Sequence, residues 1–155
     1  MSENRIVSGR SSRRGLVFLT YALTLAAAMA PVVPAFAACD VAKAQSKVSF
    51  KKTIEPVLND SCALSTCHIQ PDEAQDLVLQ TGKSYVWLVD VPSFEIRMKR
   101  VAPGDPKASY LVYKLLGTHH EVGGDGERMP FNLDPLTDGQ IAEIIAWIKD
   151  CSPNN

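Results

Sequence analysis

The stretch CALSTCHIQ, from Cys62 to Gln70, constrains this chain more than any other segment. Two cysteines followed directly by a histidine are typical of covalent haem attachment, although the common motif has two residues between the cysteines and this one has four. Attachment needs two thiols that add to vinyl groups on one edge of the porphyrin, and an imidazole that reaches the iron from that edge. A histidine directly after the second cysteine meets this need. The stretch therefore favours a haem site with a longer bridge.

Two other interpretations of the same residues stay open. Cys62 and Cys67 could form a local disulfide beside an ordinary surface histidine. Alternatively, Cys62, Cys67 and His68 could bind zinc, which in a structural site takes four protein ligands. The remaining candidates for a fourth ligand show no paired spacing; they are His119, His120, Cys39 and Cys151.

The second axial position of a haem iron held by His68 has a candidate in the segment RMPFN. Met129 lies there in a glycine-rich loop, and Pro130 behind it would stiffen the backbone. A histidine–methionine pair raises the reduction potential and leaves no open iron position, which is typical of an electron carrier rather than an enzyme. His119 and His120 are the alternative distal ligands, and Met98 is a weaker rival.

The first 37 residues resemble a cleaved export signal. Four arginines precede an apolar run from Leu16 to Ala30, and the pattern of Ala35 and Ala37 is typical of a cleavage site. An uncleaved membrane anchor is the rival interpretation. Cleavage after Ala37 leaves a mildly acidic chain of one-domain size, which argues against nucleic acid as a partner. All four cysteines remain, in an export compartment that permits disulfides.

The exported part reads as mostly helical, with long ordered loops. Ser49 begins one helical pattern, which Pro56 should bend. A short helix is expected from Lys83 to Val89, with Tyr85, Val86 and Leu88 facing inward. A further helix is expected between an N-cap at Asp105 and a stop at Gly117. The last helix is expected to begin with a capping box of Thr137 and Gln140. Its buried stripe, flanked by Trp147, is Ile141, Ile144, Ile145 and Ile148.

The order of these landmarks resembles a class I cytochrome c domain, and more narrowly a group of exported bacterial monohaem cytochrome c-like proteins. The resemblance covers about Val48 to Ile148. Its segments are IEPVLNDSC, the C-x-x-x-x-C-H motif, YVWLVDVPS, RVAPGDPKASYLVYKL, RMP and PLTDGQIAEIIAWI. It implies an all-α fold of about four to five helices around one haem c, bonded through Cys62 and Cys67, with His68 proximal and Met129 distal.

The resemblance also assigns roles to residues outside the motif. The first and last helices should cross at the haem edge through Phe50, Ile54, Ile144, Ile145 and Trp147. Leu77, Leu79, Tyr85, Val101 and Leu111 are expected to line the pocket, and Arg97, Arg100 or Arg128 to pair with a propionate. With the first and last helices as neighbours, a Cys39–Cys151 disulfide is geometrically plausible. A lipidated Cys39, which would tether the protein to a membrane, and free thiols are the alternatives.

The sequence thus predicts a signal peptide at 1–37, an N-terminal extension at 38–47, a cytochrome c-like domain at 48–151 and a tail at 152–155. The expected function is a periplasmic monohaem cytochrome that carries single electrons between a donor and an acceptor protein. The alternatives are a haem-free extracellular binding domain stabilised by disulfides, and a haem sensor or peroxidase-like protein.

Overall fold

The computed structural model describes residues 39–71 and 73–155, so the predicted export signal lies outside the described residues. Within these ranges the chain is helical, without a strand and with only isolated β-bridges. This confirms the all-α prediction for the described residues. The α-helices are α1 (Glu55–Cys62), α2 (Ser84–Leu88), α3 (Tyr110–Leu116) and α4 (Asp138–Lys149). A π-helix at Phe50–Ile54 precedes α1, and 3₁₀ turns lie at Ala74–Asp76, Pro106–Ala108 and His119–Val122.

The opening helical segment begins where the sequence predicts. Ser49 is its N-cap, and its hydroxyl accepts a hydrogen bond from the Lys52 backbone N–H at 3.2 Å. The segment changes from π to α geometry between Ile54 and Glu55, directly before Pro56. Proline has no N–H to donate to the preceding turn, but it is tolerated at the start of a helix. The loosening expected at Pro56 therefore takes the form of a widened turn ahead of it.

The first and last helical segments pack together through aromatic rings. The Phe50 ring lies 5.1 Å from the ring of Trp147 and 5.1 Å from that of Tyr85, measured between centroids. The contact between Phe50 and Trp147 is one that the resemblance implies. On α4 the completely buried Trp147 takes the place in the buried stripe that the sequence predicts for Ile145, which is half-buried. The inward placement of Val86 is wrong, because 71% of this residue is exposed. Val86 lies on α2, which has only five residues, and the buried residues of this helix are Ser84 and Leu88.

The helix expected between Asp105 and Gly117 is interrupted at Ser109. Asp105 does cap a helical turn, but that turn is 3₁₀ and ends at Ala108, and α3 begins only at Tyr110. Ser109 is extended, and its hydroxyl donates to Asp105 O at 2.8 Å and accepts from Ala102 N at 2.8 Å. These side-chain bonds to the backbone compete with a continuous helix. Gly117 ends α3 in the left-handed conformation, as predicted.

The two ends of the described chain are tied to one body. Cys39 and Cys151 form a disulfide with their Cα atoms 5.4 Å apart, and the Ser46 hydroxyl donates to Asp150 Oδ2 at 2.8 Å. Trp147 Nε1 donates to Pro153 O at 2.9 Å. The segments at 39–47 and 152–155 therefore pack on the helical body. None of the helices in the described ranges combines the length and the apolarity needed to cross a bilayer.

Candidate functional site

The residues between the two cysteines form a closed arch at the end of α1. Cys62 is the last residue of that helix, and the backbone N–H of Cys67 donates to Leu64 O at 2.9 Å. The backbone N–H of His68 then donates to Cys62 O at 3.1 Å, which closes the arch. Thr66 takes a positive φ of 64° inside it. The four-residue bridge thus holds Cys62, Cys67 and His68 on one closed turn of backbone, and both cysteines carry free thiols.

The His68 imidazole is fixed by two backbone carbonyl groups. Its Nδ1 lies 3.1 Å from Ala74 O and 3.2 Å from Leu77 O. A carbonyl oxygen can only accept a hydrogen bond, so Nδ1 carries the proton and Nε2 keeps its lone pair. Burial lowers the pKa of His68, an effect that the two carbonyl groups oppose. The side chain is therefore a neutral imidazole whose free nitrogen is available as a ligand.

Two adjoining cavities, of about 190 Å³ and about 120 Å³, are both lined by Cys62, His68 and Met129. These shared residues make the cavities two lobes of one cleft. The wall of the larger lobe is mostly apolar, and that of the smaller lobe is formed in part by the arch and by the segment after Met129. Apolar residues of the larger lobe are Leu77, Leu79, Phe94, Leu111 and Leu115; the smaller lobe has Cys67, Pro130, Phe131 and Leu133.

Met129 is the only predicted distal ligand that the structure brings to the cleft among the described residues. Its backbone N–H donates to Lys114 O at 3.0 Å, which anchors the residue to the end of α3. His119 and His120 do not line either lobe, and neither does Met98. His119 is buried, with 2% of the residue exposed, whereas the adjacent His120 is exposed.

Arg100 supplies a buried positive charge to the larger lobe. It is 8% exposed, and its guanidinium donates to three backbone carbonyls, those of Trp87 at 2.9 Å, Gln75 at 3.0 Å and Asp76 at 2.8 Å. No carboxylate in the described ranges forms an ion pair with it. Burial lowers the pKa of Arg100, with nearby Asp76 acting in the opposite direction. An anionic group in the cleft would relieve the cost of this unpaired charge.

A second polar group on the larger lobe is absent from the sequence predictions. The Tyr110 hydroxyl donates to Glu95 Oε2 at 2.7 Å, and Lys114 Nζ lies 3.8 Å from Glu95 Oε1. Nothing in the sequence near Glu95 indicates this contact, since the two residues meet only in the folded chain. Of the predicted pocket residues, Leu77, Leu79 and Leu111 line the cleft. Tyr85 packs on the aromatic core instead, and Val101 is fully buried elsewhere.

The two alternative interpretations of the cysteines gain little from this geometry. Cys62 and Cys67 are not bonded to each other. Burial raises the pKa of Cys62 to about 12, helped by the neighbouring Cys67. In the ranges that the structure covers, no three His, Cys, Asp or Glu side chains converge into a metal site.

Comparison with protein-family models, with curated proteins and with solved structures gives no match for this chain.

Proposed function

We propose that this protein is an exported monohaem c-type cytochrome that carries single electrons between a donor and an acceptor protein. Haem c would be bonded through Cys62 and Cys67, with His68 as proximal and Met129 as distal iron ligand. The observation that carries the proposal is the state of His68. Two backbone carbonyls accept from its Nδ1–H, which leaves Nε2 free as a ligand. His68 also lines the same cleft as Cys62 and Met129.

The chemistry of the cleft fits this cofactor. Two thiols, an imidazole nitrogen and a thioether sulfur are the donors that c-type attachment and axial ligation use. Five apolar side chains cover the larger lobe and would exclude water from a flat hydrophobic ring. Arg100, buried without an anionic partner, fits the carboxylate of a propionate. When bound, the haem supplies a one-electron couple between ferric and ferrous iron.

The residues of the chain would set how that couple behaves. The two carbonyls orient the His68 ring and raise its basicity as a ligand. Met129, anchored through its backbone to Lys114 O, would occupy the second axial position and leave none for a substrate. This favours an electron carrier over a sensor or a peroxidase-like enzyme. A cytochrome c-like fold is part of the proposal, and the packing of Phe50 on Trp147 supports it.

The attachment test compares two pairs of cysteines in protein produced with cytochrome c maturation machinery. The wild type should keep its haem absorbance and mass after denaturation and removal of free haem. The double variant Cys62→Ala/Cys67→Ala should lose both. The matched control, Cys39→Ser/Cys151→Ser, also removes two cysteines but should retain the haem. A wild type without covalent haem would support the haem-free binding domain instead.

The ligation test compares two methionines. Met129→Ala should convert the resting iron from low spin to high spin and lower the reduction potential, because the sulfur ligand is lost. Met98→Ala is the control, since Met98 lies outside the cleft. A Met129→Ala protein that keeps the wild-type spin state would contradict the distal role of Met129 and favour a histidine ligand or an open distal site.

A further inference from the structure

We propose that His119 is the positioning residue of the loop that carries Met129, an inference that rests on the proposed function. We call residues 123–130 the methionine loop. His119 lies in the 3₁₀ turn directly before this loop, and its Nε2 is 2.9 Å from Gly126 O. Gly126, Glu127 and Met129 all line the larger lobe of the cleft. His119 therefore contacts the loop from outside the cleft, three residues ahead of the ligand.

The hydrogen bond fixes both the tautomer of His119 and its direction. Because Gly126 O can only accept, Nε2 carries the proton and donates it. The residue is 2% exposed, and its ring contacts the ring of His120 at 4.2 Å between centroids with a tilt of 40°, so the ring has little freedom to rotate. This is the opposite tautomer to that of His68, whose Nδ1 is protonated. One histidine thus offers a free Nε2 to the cleft, while the other uses its Nε2 to hold the loop.

The other nitrogen of His119 gives a second, independent observation. Nδ1 is buried and has no hydrogen-bond partner among the described residues. A buried acceptor without a partner costs free energy, which a leucine or phenylalanine of similar volume would avoid. The position therefore carries a histidine in spite of this cost. The group that an apolar residue could not replace is the Nε2–H that satisfies Gly126 O.

The carbonyl that His119 holds lies between two backbone hydrogen bonds that anchor the methionine loop. Gly124 N donates to His119 O at 2.9 Å at the start of the methionine loop, and Met129 N donates to Lys114 O at 3.0 Å near its end. Between these two anchors, the Lys114 ammonium donates to Asp125 O at 3.0 Å and His119 holds the next carbonyl, that of Gly126. Without His119, Gly126 O would lose this donor and the loop could shift relative to the cleft.

The test uses three variants of the haem-loaded full chain. His119→Phe keeps a planar ring but removes the donor, whereas His119→Gln retains an N–H near the position of Nε2. Glu121→Gln is the control at an exposed position of the same 3₁₀ turn, because its side chain forms no hydrogen bond or ion pair among the described residues. His120 does not serve as the control, since its Nδ1 lies 3.0 Å from Gly124 O in the methionine loop. The readouts are the sulfur-to-iron charge-transfer band of the ferric protein, which reports Met129 ligation, and hydrogen exchange of the Met129 amide.

His119→Phe should weaken the charge-transfer band and speed exchange of the Met129 amide by about 2- to 10-fold, the loss expected for one hydrogen bond. His119→Gln should restore most of both signals, and Glu121→Gln should leave them unchanged. A structural role alone would lower the melting temperature of His119→Phe while the band stays intact, and this result would overturn the inference.

Nitrogen NMR of the wild type keeps the inference testable if His119→Phe does not fold. The structure predicts a proton on His119 Nε2, and a proton found on Nδ1 alone would overturn the role. Failure of the proposed function looks different: the wild type would carry no covalent haem at all. Covalent haem with Met129 bound equally well in His119→Phe would overturn only the role of His119.

Discussion

Removal of the Cys39–Cys151 disulfide should cost much of the stability of this domain. The bond joins positions 112 residues apart, so nearly the whole described chain lies inside the loop that it closes. In the chain-entropy model, a cross-link that closes a loop of about 100 residues stabilises the folded state by about 4.7 kcal/mol. We therefore expect Cys39→Ser/Cys151→Ser to lose about 4 to 5 kcal/mol, a large fraction of the total for a typical domain.

Urea unfolding of the wild type and of this double variant is the assay. The variant should unfold at lower urea and with a steeper dependence on urea concentration, because an unfolded chain without the cross-link exposes more surface. Wild type treated with a thiol reductant should match the variant, since thioether bonds to haem are not cleaved by thiols. A loss below about 1 kcal/mol with an unchanged urea dependence would refute the reasoning.

Two glycines provide a matched check of the same disulfide. Gly104 has φ +82°, and a Cβ added there would collide with Cys39 Sγ. Gly82 has nearly the same φ, +78°, but a Cβ there would meet nothing within 4 Å. Both alanine variants bear the cost of a left-handed backbone, about 1–2 kcal/mol. In protein with the disulfide intact, Gly104→Ala should lose clearly more free energy of unfolding than Gly82→Ala, and the difference between the two variants should become smaller after reduction of the disulfide. Equal losses in the oxidised protein would contradict the packing of Gly104 on the Cys39–Cys151 disulfide.

In haem-free protein, iodoacetamide should modify the half-buried Cys67 before the buried Cys62. Because burial raises the pKa of Cys62 to about 12, the rate of Cys62 alkylation should keep rising with pH. Equal alkylation rates of the two cysteines near pH 8 would be inconsistent with the burial of Cys62. Burial, together with the hydrogen bond to Glu95, raises the pKa of Tyr110. A tyrosine in the unfolded chain ionises near pH 10, so above about pH 10 the folded protein retains a proton that the unfolded chain loses. The free energy of unfolding, measured by urea titration, should therefore fall as the pH rises above about 10, and it should fall less in Tyr110→Phe. An identical fall in Tyr110→Phe would contradict the raised pKa. Gly124→Ala would place a Cβ against the Tyr110 hydroxyl and should lower the free energy of unfolding by about 1–3 kcal/mol in thermal or urea melts. Gly139→Ala is the control, because a Cβ at that position meets only an ordinary van der Waals contact. A loss at Gly124 no larger than the loss at Gly139 would show that the Tyr110 side chain can move aside without cost.

Local chemistry made the helix ends predictable from the sequence. The Ser49 cap, the left-handed Gly117 stop and the Thr137–Gln140 capping box all occur as expected, because each depends on hydrogen bonds within a few residues. The break at Ser109 was not predictable, since it depends on a bond between Ala102 N and the Ser109 hydroxyl that forms only when the chain folds back. Periodicity also misplaced Val86, because the short α2 buries too little surface to enforce a pattern.

For the site, the sequence could predict the identity of the donors but not their orientation. The spacing of Cys62, Cys67 and His68 placed these residues on one closed arch that lines the smaller lobe of the cleft. The convergence of Met129 on the same cleft rests on an anchor to Lys114 across fifteen residues, which no motif encodes. The carbonyl groups that orient His68 and His119 belong to loops without a recognisable sequence signal, so both tautomers required the folded structure.

The most direct test of the central claim is the intact mass of the protein, exported with cytochrome c maturation machinery and denatured before measurement. We predict a chain beginning at Ala38 that carries the added mass of one haem and retains its haem absorbance in denaturant. A mass equal to that of the polypeptide alone, with Cys62 and Cys67 free to react with a thiol reagent, would contradict the account.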